Sequence, residues 1–210
     1  TPPGGYGDFL SSTTKMVLDY VRYYAPTSMV FWVGSSSANW SDTANWLQGR
    51  MPGSGGEVVF DYLTTGNTSI VLGQPTAVGG LALQESAPVT LSGSSLTVNA
   101  GGINLLSAIY DSSINCDLSL GAAQTWRTAG GRTLSINGAL SGNGDLVLTG
   151  YGTVVLSAAN TYSGAITLSN STLLVTGTTG ASSLAVAGGT LCGVGAILGP
   201  VTVGRGGTLT

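Results

Sequence analysis

The sequence predicts an all-β protein whose chain coils into a parallel β-helix, or solenoid, behind a tryptophan-rich N-terminal cap. Three observations favour this fold. Short apolar strand phrases recur from about residue 131 onward, a Gly or Ser opens each of them, and from residue 144 onward alternate phrases return after 17 to 20 residues. A period of about 20 residues, with turn residues between short strands, is typical of solenoids.

Each repeated phrase holds a strand that cannot bury its apolar face alone, so like phrases are expected to stack into continuous columns. One column should contain Leu146, Ile166, Leu184 and Val201, and the other Val154, Leu173, Leu191 and Leu209. A sandwich or barrel would also place strands at intervals of about 8 to 12 residues. The alternation of short and long steps between the phrases favours the coil. The phrases are GRTLSI (131–136), GDLVL (144–148), GTVVL (152–156), GAITL (164–168), STLLV (171–175), SSLAV (182–186), GTLCG (189–193), GPVTV (199–203) and GTLT (207–210).

The chain divides into three parts. Residues 1–27 form an N-terminal arm, 28–56 a Trp-rich cap, and 57–210 the solenoid. The arm contains an alternating stretch, Lys15 to Tyr24, that reads as a half-buried strand. The cap contains Trp32, Trp40 and Trp46, and a solenoid needs its first coil covered. Buried indoles would favour a cap, whereas an exposed row would favour stacking on sugars, and a contact with a neighbouring subunit is the third interpretation.

Composition excludes several function classes. Of 210 residues 34 are Gly, 7% are charged and the net charge is −3, against a usual charged share of about 25%. Because no basic patch exists, nucleic acid is not an expected partner. Because no run of 18 apolar residues exists, no membrane-spanning helix is expected.

Histidine is absent, which removes the commonest general base and metal ligand, and we expect neither a metal nor a cofactor. Cys116 and Cys192 lie about four coils apart, or about 19 Å along the axis. A disulfide needs Cα atoms within about 7 Å. Both cysteines are therefore expected to be free and to pack as small apolar residues.

Catalysis would need carboxylates paired about 5 to 10 Å apart. The candidates are Asp111, Asp117 and Asp145, with Arg127 and Arg132, and their spacings do not match one coil cleanly. We interpret them as solvated corner charges and expect the chain not to be an enzyme.

The stretch from Gly142 to Gly164 resembles the passenger-associated repeat of bacterial autotransporters. It reads GNGDLVLTG and then GTVVLSAANTYSG, and the GGTL phrases at 188–191 and 206–209 resemble the closing phrase of that repeat. The resemblance covers roughly residues 79 to 210. It implies a right-handed β-helix that is secreted and lies on a bacterial surface. Within it, the Asn160 to Gly164 motif is expected to be a corner in which Asn and Ser satisfy backbone groups and Tyr covers the strand edge.

Two further resemblances concern the N-terminal parts. The spacing of Trp32, Asn39-Trp40-Ser41-Asp42 and Asn45-Trp46 resembles an opening found before such repeats in secreted bacterial proteins. The arm is similar to the final strand of laminarinase-like (family 16) glycoside hydrolases over about ten residues. The catalytic phrase of that family, with its closely spaced acidic residues, is missing, because Glu57 and Glu85 lie far apart in the sequence. If this resemblance holds, the chain would follow a hydrolase domain.

The expected function is structural: a secreted surface stalk, or the subunit of an extracellular fibre or matrix that assembles head-to-tail. The sequence stops within a repeat phrase, so the last coil is expected to present an unpaired edge. The alternative is a polysaccharide-binding or accessory module of a carbohydrate-active enzyme. The candidate contact residues for self-association or glycan binding are Tyr20, Tyr23, Tyr24, Trp32, Trp40, Trp46, Thr208, Leu209 and Thr210.

Overall fold

The computed structural model describes residues 29–84, 87–180 and 182–210. The arm and its Tyr20, Tyr23 and Tyr24 lie outside the described residues. The described residues contain seventeen strands and two 3-10 turns of three residues each, Thr43–Asn45 and Leu47–Gly49. The strands are β1 (Met29–Phe31), β2 (Glu57–Phe60), β3 (Ser69–Leu72), β4 (Thr76–Leu83), β5 (Thr90–Gly93), β6 (Leu96–Leu105), β7 (Ser112–Ile114), β8 (Leu118–Leu120), β9 (Gln124–Thr128), β10 (Thr133–Ile136), β11 (Leu140–Gly142), β12 (Leu146–Thr149), β13 (Thr153–Leu156), β14 (Ile166–Ser169), β15 (Ser171–Val175), β16 (Leu184–Cys192) and β17 (Val201–Leu209).

All strand pairs are parallel and form three columns. Column A consists of β1, β2, the second half of β4, the second half of β6, β9, β12, β14, the first half of β16 and the first half of β17. Column B consists of β3, β5, β7, β10, β13, β15 and the second halves of β16 and β17. Column C consists of the first halves of β4 and β6, then β8 and β11. The chain thus forms a β-solenoid of about 7 turns, which confirms the predicted all-β parallel β-helix. At about 4.8 Å per coil, seven turns rise about 34 Å.

The predicted columns are confirmed residue by residue. Leu146 pairs with Ile166, Ile166 with Leu184, and Leu184 with Val201 in column A. In column B, Val154 pairs with Leu173, Leu173 with Leu191, and Leu191 with Leu209.

The core runs unbroken along the inside of the solenoid because each strand alternates buried and outward side chains. In column A the equivalent inward positions are all buried: Val58, Leu81, Ile103, Trp126, Leu148, Leu168 and Val186. Trp126 is the largest of them, and its indole Nε1 donates to Gln124 Oε1 at 2.9 Å. Gln124 in turn donates to the Val98 carbonyl at 2.9 Å. The one polar group that this ring carries is therefore satisfied inside the core.

The solenoid narrows along the chain. In column A, Val58 pairs with Leu81 in the early coils, and Val186 pairs with Val203 in the last coil. Fewer residues separate the second pair than the first, so the last coil is shorter. Column C supplies a third strand to the earlier coils and ends at Gly142. Its place is then taken by non-strand backbone: the Thr161 N–H donates to the Leu140 carbonyl at 2.9 Å. The predicted period holds for these later coils, while the earlier ones are longer by one short strand.

Close stacking at the corners fixes some residue types. Gly138 is at the corner between columns B and C, where an added Cβ would overlap the backbone carbonyl of Cys116 in the coil before. Only a residue without a side chain permits two backbones to approach so closely.

Candidate interaction surfaces

The three cap tryptophans form one buried cluster. Trp32, Trp40 and Trp46 are 0%, 4% and 2% exposed. The Trp46 ring lies edge-on to both others, with centroids 5.0 Å from Trp32 and 4.7 Å from Trp40. Such edge-to-face pairs add to the stability gained by burial. The cluster covers the first coil, since Val30 in the first rung of column A is 4% exposed. The indoles offer no open face to a sugar ring, which favours the cap interpretation.

Hydrogen bonds hold the cap segment on the first coil. Trp32 Nε1 donates to the Asn67 carbonyl at 2.7 Å, and Trp46 Nε1 donates to the Trp40 carbonyl at 2.8 Å. Asn45 is buried, and its Oδ1 accepts from the backbone N–H groups of Ser36 and Ser37 at 2.8 and 2.9 Å.

Asp42 completes the cap from the solvent side. Its Oδ1 accepts from the Ala44 N–H at 3.1 Å at the start of the first 3-10 turn. Hydrogen bonding, above all from the Ser37 hydroxyl at 2.8 Å, lowers the pKa of the Asp42 carboxyl.

The structure places the three predicted carboxylates at three different corners. Asp111 precedes column B, Asp117 precedes column C and Asp145 precedes column A. Each Oδ1 accepts a backbone N–H from the following coil. The donors are Thr133 at 2.9 Å, Ala139 at 3.0 Å and Ala165 at 3.0 Å, respectively. These aspartates tie consecutive coils together and do not converge on one substrate position.

Arg132 lies near one of these carboxylates, and Arg127 lines the same depression as another. Arg132 Nη1 is 3.9 Å from Asp111 Oδ1 and donates to the Ile109 carbonyl at 2.9 Å. Arg127 and Asp145 line a shallow depression of about 320 Å³ on the outer side of column A, and Ala100 and Gly101 line it as well. Asp117 stands apart from both pairs. Glu57 lines an adjoining depression, and Glu85 lies outside the described residues.

The Asn160 to Gly164 motif is a corner, as the sequence predicts. Asn160 is buried, and its Oδ1 accepts from the Leu140 N–H of the preceding coil at 2.7 Å. Its Nδ2 donates to the Thr178 carbonyl of the following coil at 2.7 Å. Ser163 Oγ donates to the Gly142 carbonyl at 3.4 Å.

Tyr162 in this motif differs from the expectation. The side chain lies inside the solenoid and does not cover a strand edge. Its hydroxyl donates to the carbonyls of Gly144 and Ala165. Burial, and secondarily the charge of Asp145, raises the pKa of the Tyr162 hydroxyl, so it remains a donor at neutral pH.

The outer edge of β17 is open among the described residues. Val201, Val203 and Leu209 are 38%, 43% and 55% exposed, although their equivalents one coil earlier, Leu184, Val186 and Leu191, are 2%, 0% and 6% exposed. Thr208 and Thr210 are exposed beside them. A further rung on this edge would bury the three apolar side chains and pair the free backbone groups.

A second exposed apolar surface, which the sequence does not predict, lies at the corner between columns A and B. It consists of Leu106, Ile109, Tyr110 and Tyr151, which we call the tyrosine patch. Nothing in the strand periodicity marks these residues, because they belong to loops of unequal length. A tyrosine between two glycines, Gly150-Tyr151-Gly152, is the one local signal the sequence offers.

Cys116 is buried and Cys192 is half-buried, and both are free thiols. Burial raises the pKa of Cys116. Within the described ranges no group of three or more acidic or Cys side chains is placed to hold a metal ion. No helix among the described residues is long and apolar enough to cross a membrane.

No family model, curated protein or solved structure matches this chain.

Proposed function

We propose that this chain is a structural β-solenoid, either a stalk on a bacterial surface or a subunit of an extracellular fibre. The observation that carries the proposal is column A, in which parallel rungs follow one another from β1 to β17 with a buried residue at the equivalent position of each rung before the last. Each coil is stabilised mainly by its two neighbours. Such a stack forms a rod that keeps whatever lies at its two ends apart.

A directional contact in a fibre is part of the same proposal, and the open edge of β17 is its candidate site. The first rung is closed by the Trp cluster, whereas β17 leaves Val203 and Leu209 open. The proposed occupant of this edge is the alternating stretch Lys15 to Tyr24 of a second copy. Its apolar and aromatic residues suit a strand that adds to a sheet edge. A heterologous contact of this kind does not close on itself and gives a filament.

Secretion to a bacterial surface is part of the same proposal. It rests on the resemblance to the autotransporter passenger repeat and on a composition with 7% charged residues.

Light scattering and electron microscopy test the fibre contact. The whole chain is compared with a version lacking residues 1–27 and with Leu209→Lys, and Val71→Lys is the matched control on an outward position of β3, 40% exposed. We expect association by the whole chain and by Val71→Lys only. Equal behaviour of all four proteins would refute the contact.

Small-angle scattering of the monomeric fraction tests the stalk separately. We expect the pair-distance distribution to peak at a short distance, which corresponds to the cross-section of the rod. A tail should extend to longer distances, which correspond to the length of its axis. A symmetric, sphere-like distribution would contradict the stalk whatever the fibre experiment shows.

A further inference from the structure

The tyrosine patch occupies three successive coils at the corner between columns A and B. Ile109 and Tyr110 belong to the coil that leads into β7, and Tyr151 belongs to the coil that leads into β13. The coil between them leads into β10, which pairs with both strands. At this corner the middle coil carries Gly130 and Gly131. Counting back from the paired strands, Gly131 is equivalent to Ile109 and Tyr151, and Arg132 is equivalent to Tyr110. The middle rung therefore carries no side chain at the position between Ile109 and Tyr151.

Tyr151 has a backbone conformation that its side chain does not favour. Its φ is +69°, while the corresponding corner residues of the adjacent coils are Gly131 at +76° and Asn170 at +61°. Gly and Asn are the residue types that tolerate this region, and a bulky residue there is an outlier. The Tyr151 side chain is also 76% exposed, so core burial does not compensate for the unfavourable backbone. Strained residues that do not stabilise the fold are a reason to look for a function.

The patch is small and has polar groups at its side. It has four apolar or aromatic side chains along one corner, whereas a stable protein interface uses about 20 to 30 residues a side. A narrow linear ligand fits such a ridge better than a folded partner does. Arg132 and Asp111, with side chains 34% and 60% exposed, lie next to it and supply a donor and an acceptor for hydroxyl groups.

The spacing of the patch indicates the kind of linear ligand. Two coils separate Ile109–Tyr110 from Tyr151, which corresponds to about 9.6 Å along the axis. In an extended β-1,4-linked glycan every second sugar ring presents the same face, at a comparable interval. Tyrosine rings provide rigid amphipathic surfaces on which the apolar face of a sugar can stack.

We propose that the tyrosine patch binds an extended β-1,4-linked polysaccharide that runs along the solenoid axis, with alternate sugar rings stacked on Tyr110 and Tyr151. Gly131, beside which an added Cβ would meet nothing within 4 Å, leaves room for the intervening ring. Arg132 and Asp111 bind its hydroxyl groups. This site goes beyond the structural function and does not depend on the β17 contact.

Calorimetric titration with cellohexaose, xylohexaose and mannohexaose tests the proposal, and laminarihexaose, which is β-1,3-linked, tests the spacing. We expect at least one β-1,4 probe to bind, and Tyr151→Gly and Tyr110→Ala each to weaken its binding at least tenfold. Leu198→Ala is the control, because Leu198 is 64% exposed and lies between β16 and β17, in the connection from column B to column A, and it should bind as the wild type does.

Thermal unfolding of Tyr151→Gly separates binding from folding. Because Gly accepts a positive φ, this variant should melt at the same temperature as the wild type or higher while losing the ligand. The proposal is overturned if no β-1,4 probe binds, if laminarihexaose binds equally well, if the Leu198 variant loses as much affinity as the patch variants, or if the loss in Tyr151→Gly accompanies a lower melting temperature.

Discussion

Replacement of Asn160 by Ala should strongly destabilise this protein. Asn160 is 6% exposed, and its amide connects three coils. Oδ1 accepts from the Leu140 N–H at 2.7 Å, and Nδ2 donates to the carbonyls of Thr178 at 2.7 Å and Ala158 at 3.1 Å.

The magnitude follows from what each partner retains. The Thr178 carbonyl still accepts from the Asn160 backbone N–H, and the Ala158 carbonyl still accepts from the Thr178 N–H. The buried Leu140 N–H is left without its acceptor, which costs about 1–3 kcal/mol, and the two lost bonds add about 0.5–1.5 kcal/mol each. We therefore expect the free energy of unfolding to fall by about 2–6 kcal/mol.

Urea unfolding, followed by circular dichroism and by tryptophan fluorescence, measures this change. Repeat proteins can unfold in parts, so both probes are needed. Tryptophan fluorescence reports on the cap through Trp32, Trp40 and Trp46 and on the core through Trp126, and circular dichroism reports on all strands. Asn143→Ala is the matched control, since Asn143 is exposed at the neighbouring corner. A loss below about 0.5 kcal/mol for Asn160→Ala, the range of ordinary surface substitutions, would refute the reasoning, as would an equal loss for the control.

Four other outcomes are expected. Asn160→Asp should destabilise the protein little below about pH 4 and progressively more as pH rises. The reason is that burial and two facing carbonyls raise the pKa of the introduced carboxyl above its unfolded value of about 3.9. A flat pH profile of the urea midpoint relative to wild type would count against this. Gly138→Ala should lower the free energy of unfolding by about 2 kcal/mol or more, because the added methyl overlaps the coil before it. Gly73→Ala, whose Cβ would meet nothing within 4 Å, should be neutral or stabilising by about 0.5 kcal/mol. Similar melting temperatures for the two variants would contradict the stacking argument. Asp145→Ala should lower the free energy of unfolding by about 1 kcal/mol, because a backbone N–H of the next coil loses its acceptor. Asp145→Asn keeps an acceptor and should lower it by less than half of that amount. Equal losses would mean that the charge, and not the hydrogen bond, matters. The Cys116 thiol should resist iodoacetamide in the folded protein and react after unfolding, because burial raises its pKa; rapid alkylation under native conditions, detected by mass spectrometry, would show that this corner opens.

The sequence could predict the columns because each phrase carries its own alternation. Leu146, Leu148, Ile166 and Leu168 point inward wherever their strands are placed, and the recurrence of the phrases then leaves a single register that buries them all. The same alternation did not reveal the third strand of the earlier coils. A three-residue strand such as β8 carries too few positions to stand out from the loops around it.

The sequence alone did not predict the hydrogen bonds and the burial of the corner residues. Asp111, Asp117 and Asp145 are similar as residue types, and only the folded coils show that each accepts a backbone N–H from a different corner. Tyr162 and Tyr151 are likewise the same residue type in neighbouring turns. One is buried and bonded to two carbonyls, and the other is exposed with a positive φ.

The sequence by itself therefore determined the all-β class, the stacking period and the inward faces of the later strands, because these depend on the local alternation of apolar residues and on glycine at turns. Only the tertiary structure decided which aromatic residues are buried and which are open. That outcome depends on where loops of unequal length meet across successive coils, and no local pattern contains this information. For this reason the Trp cluster became a cap, and the exposed aromatic surface lies at Tyr110 and Tyr151.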